Sequence, residues 1–415
     1  MKISRYKGGK DLLAADMAAF RLIESAFRES CLSWGYEEVR TPTIEYLHLF
    51  TSAGTLTPGM LRRVYSFLDW DGWSGERVAL RPDGTIPAAR LYIDNLQDQG
   101  LARLFYLINT FGYDETGREA RERWQGGVEL LGTPGKGGLG EVELIQLAMG
   151  ILSRLKIGKV TVKLSHAGLI KAYLDELGAN WGESSHLLEE LLDGEAPALA
   201  AAACQPEVQK ALSQLLRLKG KKHGFLKNLE ASLQPVAPAF RDNLRDFMRV
   251  AEMLDALKLD YEIDIASGRG FEYYTGIIFQ FLAGDVKIGG GGRYDELIPL
   301  LGGKKRSAAG FALYISRLMD YVSPDVIGTG PGVLVQVASE KPVVVRRGFQ
   351  AQRRIQEAGY VAEIDLGGRS HSRSRTHRWK LLVRDQSPPF LLTDQDRDTL
   401  TGAASVAELL RLIRG

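Results

Sequence analysis

The chain has 415 residues, of which 45% are hydrophobic and 25% charged, and its formal net charge is +2 at pH 7. This balance is typical of a globular protein with a sizeable core. The small net charge disfavours non-specific binding to nucleic acid, which requires basic residues to neutralise phosphates.

The cysteines and the apolar runs bear on the cellular compartment of the protein. Cys31 and Cys204 are far apart and in no motif, which excludes a disulfide framework and a Cys-rich metal site. No apolar run approaches the roughly 20 residues of a membrane span. Aspartates interrupt the first apolar run, DLLAADMAAF, so no signal peptide is indicated. We therefore expect a soluble, cytoplasmic protein without membrane contact.

The first third of the chain alternates helix and strand patterns. Apolar spacing over 11–34 predicts a helix, and GYEEVRTPTIEY (35–46) predicts a strand bent at Pro42. The segment ERVALRPDGTIPAARLYIDNL (76–96) predicts a strand, a Pro-Asp-Gly turn and a helix. The two arms of an antiparallel hairpin follow, at about 103–112 and 123–132.

The middle of the chain predicts a helical insertion between strands. A helix (140–155) and a strand (159–166) precede a Leu- and Ala-rich stretch at about 168–256, which we interpret as the insertion. Strands return in YEIDI (261–265) and EYYTGIIFQFLAG (272–284).

A glycine run and a second domain follow. KIGGGGRYDELIPLL (287–301) predicts a tight glycine turn with positive φ that opens a helix, and AAGFALYISRLMDYV (308–322) a strand or turn entering a helix. The Pro- and Gly-rich segment 323–332 predicts a linker, and 333–415 a small α/β domain of alternating strands and helices. Its basic, Ser-rich segment 369–380 predicts a loop.

Several catalytic motifs are absent from the sequence. There is no G-x-x-x-x-G-K-[ST] loop, no H-E-x-x-H and no G-x-S-x-G. His371 and His377 lie in the basic segment, where a solvated role is more common than metal binding. We therefore expect no nucleophilic hydrolase, no metal and no cofactor.

Some polar residues could surround the ammonium of a free amino acid. Asp83 and Thr85 are two apart, so in extended backbone their side chains would point the same way. Gln125 and Glu129, on the outgoing hairpin arm, also share one face. Two carboxylates, an amide oxygen and a hydroxyl would give strong, charge-assisted hydrogen bonds.

The segment SGRGFEYYTG adds residues for the rest of an amino acid. Arg269 could meet a carboxylate or a polar ring, while Tyr273 and Tyr274 could flank a planar side chain. Alternating polar residues on strands more often form a solvated face, so the hypothesis depends on all these residues coming together in the fold.

The order of seven short motifs resembles the histidyl-tRNA synthetases, a class II synthetase family. They are KGGKDLL, GYEEVRTPTIEY, LRPDGT, WQGGVELLG, RGFEYYTG, GGGGRYDEL and GFALYISRL, and they cover most of 8–322 outside the insertion. The resemblance implies an α+β core in residues 1–322, with an antiparallel sheet flanked by helices and a dimer formed through the strand that holds Pro42. The tail resembles a reduced anticodon-binding domain. The positions that match the family's histidine contacts are Asp83, Thr85, Gln125, Glu129, Arg269, Tyr273 and Tyr274.

The chain departs from the synthetase pattern where ATP would bind. The family's hairpin reads Phe-Arg-x-Glu, with an arginine for the α-phosphate, but this chain has Gly112 at the arginine position and Asp114 at the acidic one. The last family motif reads Gly-Leu-Glu-Arg, but here Tyr314 replaces the glycine and Ser316 the glutamate. Arg317 keeps the final arginine. We therefore expect a degenerate nucleotide site whose strand end lacks its cation.

A synthetase-like core with an amino-acid pocket and no ATP site resembles the ATP phosphoribosyltransferase regulatory subunits. That resemblance implies a non-catalytic chain that joins a short-form catalytic subunit in the first step of histidine biosynthesis, as a homodimer within a hetero-oligomer, with histidine as feedback effector. A divergent histidyl-tRNA synthetase remains the alternative enzyme hypothesis. An RNA-binding paralogue acting through 369–380 is a third hypothesis, supported only by the basic charge of that segment.

Overall fold

The computed structural model describes residues 3–52, 61, 63–70, 75–113, 120–132, 138–169, 172, 217–232, 238–267, 274–322, 332–366 and 377–414. The chain divides into two compact units, and the first of them extends to Val322. Most of the predicted helical insertion lies outside the described residues, as does the predicted linker apart from Gly332.

Among the described residues, the first unit combines twelve strands with eight α-helices. The strands are β1 (Glu37–Glu38), β2 (Ile44–Tyr46), β3 (Ser66–Trp70), β4 (Gly75–Leu80), β5 (Ala102–Phe111), β6 (Glu122–Gly132), β7 (Val160–His166), β8 (Lys219–Lys221), β9 (Tyr261–Asp264), β10 (Ile277–Ala283), β11 (Val286–Arg293) and β12 (Ser307–Tyr314). The helices are α1 (Ala14–Ser33), α2 (Leu47–Ser52), α3 (Thr85–Asn95), α4 (Leu139–Arg154), α5 (Lys222–Ser232), α6 (Pro238–Ala256), α7 (Leu297–Leu300) and α8 (Ile315–Leu318).

Nine of these strands form one sheet in the order β1-β5-β6-β12-β11-β10-β7-β9-β8. From β5 to β7 in this order, neighbouring strands are antiparallel to each other. Parallel pairs occur only towards the edges of the described sheet, where β1 joins β5 and β7 joins β9. The predicted antiparallel sheet flanked by helices is therefore confirmed.

Helices cover both faces of the sheet, and alternate residues of β5 contact them on opposite sides. Phe105 meets Phe27 of α1, with ring centroids 6.2 Å apart. The next residue, Tyr106, packs with Ala88 of α3 and with Ile108. A strand that is buried on both sides explains why LFYLI is apolar throughout instead of alternating.

The bent strand predicted at 35–46 is two strands in different sheets. β1 joins the central sheet, whereas β2 pairs with β4 in a small sheet of order β2-β4-β3. Pro42 lies between them, where its missing N–H interrupts strand pairing.

The predicted glycine turn at Gly289–Gly292 is wrong. These four residues lie inside β11 and none has a positive φ. A Cβ on Gly291 would collide with the backbone of β12, and one on Gly292 with the ring of Tyr274. Glycine is needed here for close approach between neighbours and not for an unusual backbone conformation.

The second unit holds a separate five-stranded sheet. Its strands are β13 (Gly332–Val337), β14 (Ala362–Ile364), β15 (His377–Val383), β16 (Phe390–Asp394) and β17 (Thr399–Ala403), in the order β14-β13-β15-β16-β17. Helices α9 (Pro342–Glu357) and α10 (Val406–Arg414) pack on this sheet through Ile355 and Leu409. Residues 377–380, which we predicted as loop, begin β15, and 367–376 lie outside the described residues.

Candidate functional site

A cavity of about 440 Å³ lies within the first unit, beside the central sheet. It is lined by the turn before α3 and by the start of that helix. Further lining residues come from β5, β6, β11 and β12, from α2 and α8, and from the segments around Val64 and Tyr274. Elements far apart in sequence thus supply one site.

Asp83 lies at the N-terminus of α3 and satisfies its first amides. Its Oδ1 accepts a hydrogen bond from the Thr85 amide at 3.1 Å, and its Oδ2 one from the Ile86 amide at 3.3 Å. The expectation that Asp83 and Thr85 lie in extended backbone is therefore wrong, because Thr85 is the first residue of α3 and Asp83 lies in the turn before it, where its carboxylate accepts from the first amides. Burial raises the pKa of Asp83, although hydrogen bonds from these amides and from Gln125 favour the charged form.

Glu129 is the most deeply buried acid near the cavity, with 1% of its surface exposed. Its Oε1 accepts a hydrogen bond from the Tyr106 hydroxyl at 2.9 Å, and its Oε2 one from the Tyr294 hydroxyl. Burial raises its pKa to about 8, and the charge of Asp83 acts in the same direction. The raised pKa favours the protonated form of Glu129 near neutral pH.

Two glycines leave room for aromatic rings against β6, the strand that carries Glu129. A Cβ on Gly127 would collide with the ring of Tyr106, and one on Gly126 with the ring of Phe27 on the opposite face. No pattern in the sequence had singled out Tyr106 and Tyr294. The Gly-Gly pair in WQGGVELLG was an available signal that large side chains lie against this strand.

The cavity brings together part of the predicted amino-acid site. Asp83, Thr85, Gln125 and Tyr274 line it, and Tyr294, which bonds to Glu129, lines it too. The Thr85 hydroxyl lies 3.4 Å from that of Tyr106. Arg269 and Tyr273 lie outside the described residues.

The predicted degenerate nucleotide site lies in the same cavity. Gly112, Tyr314 and Ser316 line it, whereas Asp114 lies outside the described residues. The Ser316 Oγ accepts a hydrogen bond from the backbone amide of Trp124 at 2.9 Å, so this hydroxyl also holds β6 in place.

The expectation that this strand end lacks a cation is wrong. Position 112 has no side chain, but the guanidinium of Arg123 occupies the space into which a Cβ there would project. Arg63, Lys287 and Arg317 also line the cavity. Burial lowers the pKa of Lys287 to about 8, and the nearby charge of Arg317 adds to this effect. The sequence gives no signal for Arg63, Arg123 or Lys287 as site residues, because none belongs to a motif.

The profile of the histidyl-tRNA synthetases matches residues 8–318. A curated ATP phosphoribosyltransferase regulatory subunit of Dehalococcoides mccartyi (strain 195) is 45% identical over 420 residues, covering 100% of this chain and 99% of that protein. The chain belongs to the histidyl-tRNA synthetase family, among its ATP phosphoribosyltransferase regulatory subunits. The family resemblance inferred from the motif order is thereby confirmed.

Other relatives are more distant. A histidine–tRNA ligase of Caldicellulosiruptor bescii is 30% identical over 389 residues, covering 89% of this chain and 86% of that protein. A solved structure from Bacillus halodurans, titled as an ATP phosphoribosyltransferase regulatory subunit/histidyl-tRNA synthetase, has a TM-score of 0.76 at 22% identity, covering 93% of this chain and 100% of that one. At this identity the likeness supports the fold alone.

Two observations bear on other kinds of function. Across the described ranges, no three His, Cys, Asp or Glu side chains gather as metal ligands would. Within those same ranges, no helix combines the length and the apolar character that crossing a membrane demands.

Proposed function

We propose that this chain is the regulatory subunit of an ATP phosphoribosyltransferase, that it supports the first step of histidine biosynthesis, and that it mediates feedback by histidine without adenylating it. The observation that carries this proposal is the 45% identity to a curated regulatory subunit along the whole chain. The histidine–tRNA ligase of Caldicellulosiruptor bescii reaches only 30% identity to the chain.

Histidine binds, in this proposal, at the acidic end of the cavity. Its ammonium meets Asp83, the Gln125 amide oxygen and Glu129, while its imidazole lies beside Tyr274 and Tyr273. The burial of Gln125 and Glu129, at 8% and 1% exposed, supports this orientation, because charge-assisted hydrogen bonds are strongest away from water.

The chain lacks adenylation activity, in this proposal, because the groups that orient ATP have changed. Gly112 has no side chain that could bond to a phosphate, and its backbone amide donates to the Arg121 carbonyl oxygen at 3.0 Å. The Ser316 hydroxyl oxygen accepts a hydrogen bond from the Trp124 amide. Arg123 supplies charge near Gly112, but from the opposite arm of the hairpin. Loss of one preorganised charge donor typically costs about 10²–10³ in rate.

The partner is a short-form catalytic subunit, and the chain itself forms a homodimer within the hetero-oligomer. Support for the homodimer comes from the sheet β2-β4-β3, where Ile44, Tyr46 and Phe67 share a face and are 48%, 50% and 43% exposed. An exposed apolar patch of this kind is common at protein interfaces. Cytoplasmic location follows from the partner's metabolic role.

Feedback is then a coupling free energy between histidine and the partner's substrates, and it must be reciprocal. Histidine is titrated calorimetrically into the assembled complex, with and without the substrates ATP and phosphoribosyl pyrophosphate. We expect weaker histidine binding when the substrates are present. Equal affinities would contradict the coupling.

Asp83→Asn tests the site itself. Asparagine keeps a side-chain oxygen that can accept from the first amides of α3, so the helix is retained while one negative charge is lost. We expect histidine affinity to fall by roughly tenfold or more. Asp94→Asn is the matched control, because Asp94 lies on the same helix with its side chain 52% exposed. Histidine-dependent exchange of diphosphate into ATP would instead support the divergent synthetase.

A further inference from the structure

His166, the last residue of β7, is a buried histidine that lies outside the set of residues lining the cavity. Only 1% of its surface is exposed, and its Nδ1 accepts a hydrogen bond from the backbone amide of Leu169 at 3.1 Å. A ring nitrogen that accepts in this way carries no hydrogen, so the proton of the ring is on Nε2. Within the described residues, this buried Nε2 makes no hydrogen bond. Because buried donors are nearly always paired, packing alone does not account for this histidine.

The Nε2 of His166 faces Asp246 of α6. It lies 3.8 Å from the Asp246 Oδ2, which is longer than the roughly 2.7–3.2 Å of a hydrogen bond. The neighbouring ring of His166 is the main cause that lowers the pKa of Asp246, and the charges of Arg293 and Arg249 add to this effect. The carboxylate is therefore ionised at neutral pH. A shift of about 1 Å would turn the contact into a charge-assisted hydrogen bond.

One face of α6 contacts the residues at the end of β7, positions 166–168, which we call the β7 corner. Asn243 Nδ2 donates a hydrogen bond to the backbone oxygen of Gly168 at 2.9 Å. The ring centroid of Phe247 lies 5.8 Å from that of His166. Asn243, Asp246 and Phe247 are three and four positions apart, so they share this face of the helix. Any movement of the β7 corner is therefore felt by α6.

The β7 corner is bonded in turn to the segment that carries Tyr274 into the cavity. The Ala167 amide donates a hydrogen bond to the backbone oxygen of Gly276 at 2.9 Å. A Cβ on Gly168 would lie only 3.0 Å from the backbone oxygen of Thr275, so the corner and this segment are in close contact. Tyr274 precedes these residues directly and lines the cavity.

Arg293 anchors the same segment from its other side. Its backbone oxygen accepts from the Thr275 amide at 2.8 Å, and its Nε donates to Glu141, which has 0% of its surface exposed. The next residue is Tyr294, whose hydroxyl bonds to Glu129. A continuous set of hydrogen bonds thus joins the acidic end of the cavity to the β7 corner.

We propose that His166 and Asp246 are positioning residues for histidine binding, and that their contact closes to a hydrogen bond when histidine occupies the cavity. This deepens the proposed function and rests on it. A hydrogen bond that forms only in the bound state favours that state, because a ligand shifts an equilibrium by its differential interaction with the two conformations. The helix α6 is then the element through which an occupied cavity is sensed outside the cavity.

Calorimetric titration of histidine into the purified full chain tests this inference. Asp246→Ala should lower histidine affinity by roughly tenfold, because the bound state loses a hydrogen bond to a charged group. Asp246→Asn keeps an oxygen that can accept from Nε2, so it should lose less. Asp242→Ala is the matched control, because Asp242 lies one turn earlier on α6 with its side chain 77% exposed, and it should bind histidine like the wild type.

Two further measurements separate positioning from stability. Urea unfolding of Asp246→Ala shows whether the variant is merely less stable, and we expect a midpoint close to that of the wild type. The chain has six histidines, so the ring signals of protein labelled with ¹⁵N-histidine can be resolved. The His166 signal is the one that His166→Gln lacks. Its Nε2 proton should move downfield when unlabelled histidine is added to the wild type, and should not do so in Asp246→Ala.

The outcomes distinguish this inference from the proposed function. Equal histidine affinity of the wild type and Asp246→Ala would overturn the inference and leave the proposed function standing. The same holds for a His166 signal that does not respond to bound histidine, and for an equal loss of affinity in Asp242→Ala. Absence of histidine binding by the wild type would contradict the proposed function itself, and this inference with it.

Discussion

The buried carboxyl group of Glu129 should make the stability of the free protein depend on pH. Below its ordinary pKa of 4.5 the group is protonated in the folded and unfolded states alike, so it imposes no penalty. Between 4.5 and about 8 the unfolded chain releases the proton while the folded protein retains it, so the free energy of unfolding falls as pH rises. Above about 8 both states are ionised and the full penalty remains.

The size of the effect follows from the two pKa values. Each pKa unit corresponds to about 1.36 kcal/mol, so the interval from 4.5 to about 8 corresponds to roughly 3–5 kcal/mol. Glu129→Gln removes this penalty, and the amide can still accept from one of the hydroxyls of Tyr106 and Tyr294 and donate to the other. At low pH the two proteins should differ by only about 1 kcal/mol.

Urea unfolding followed by tryptophan fluorescence, from about pH 5 to pH 9, measures this difference. Glu129→Gln should become the more stable protein as pH rises. Glu143→Gln is a control of opposite sign: burial raises the pKa of Glu143, but hydrogen bonds from Arg103 and Tyr36 outweigh burial and lower it. The stabilisation by ionised Glu143 is lost as pH falls. Glu143→Gln should therefore not become more stable than the wild type as pH rises. Parallel curves for the wild type and Glu129→Gln would refute the reasoning.

Two further substitutions test the packing at the cavity and at the Arg121 side chain. Gly310→Ala places a Cβ against the carboxyl group of Glu129 and the hydroxyl of Tyr294, so histidine affinity measured by calorimetry should fall by roughly tenfold or more. Gly150→Ala is the control, because a Cβ there meets nothing within 4 Å, and it should leave histidine affinity unchanged. Arg121→Lys keeps the charge but loses the planar guanidinium that lies over the rings of Tyr6 and Tyr113, 5.2 Å and 4.5 Å from their centroids. Hydrogen exchange of the segment around Tyr6 should therefore accelerate, and unchanged protection would show that this stacking does not hold the segment.

The sequence by itself determined the family and much of the local structure. The hairpin arms, the helix after Pro82 and the strand that leads into α8 follow from short-range patterns of apolar residues, turns and breakers. The order of the seven motifs sufficed to identify the family, because each motif is local and their order is preserved along the chain. The departures at Gly112 and Ser316 were equally visible.

Only the tertiary structure shows which side chains surround Glu129 and Gly112. Glu129 is enclosed by Tyr106 and by Tyr294, which lies 165 residues away in sequence. Likewise, the guanidinium of Arg123, on the other arm of the hairpin, lies beside Gly112, where we expected no cation. Which side chains meet across a sheet depends on strand register, burial and the space that glycines leave. These are set by contacts between distant segments and not by any local pattern.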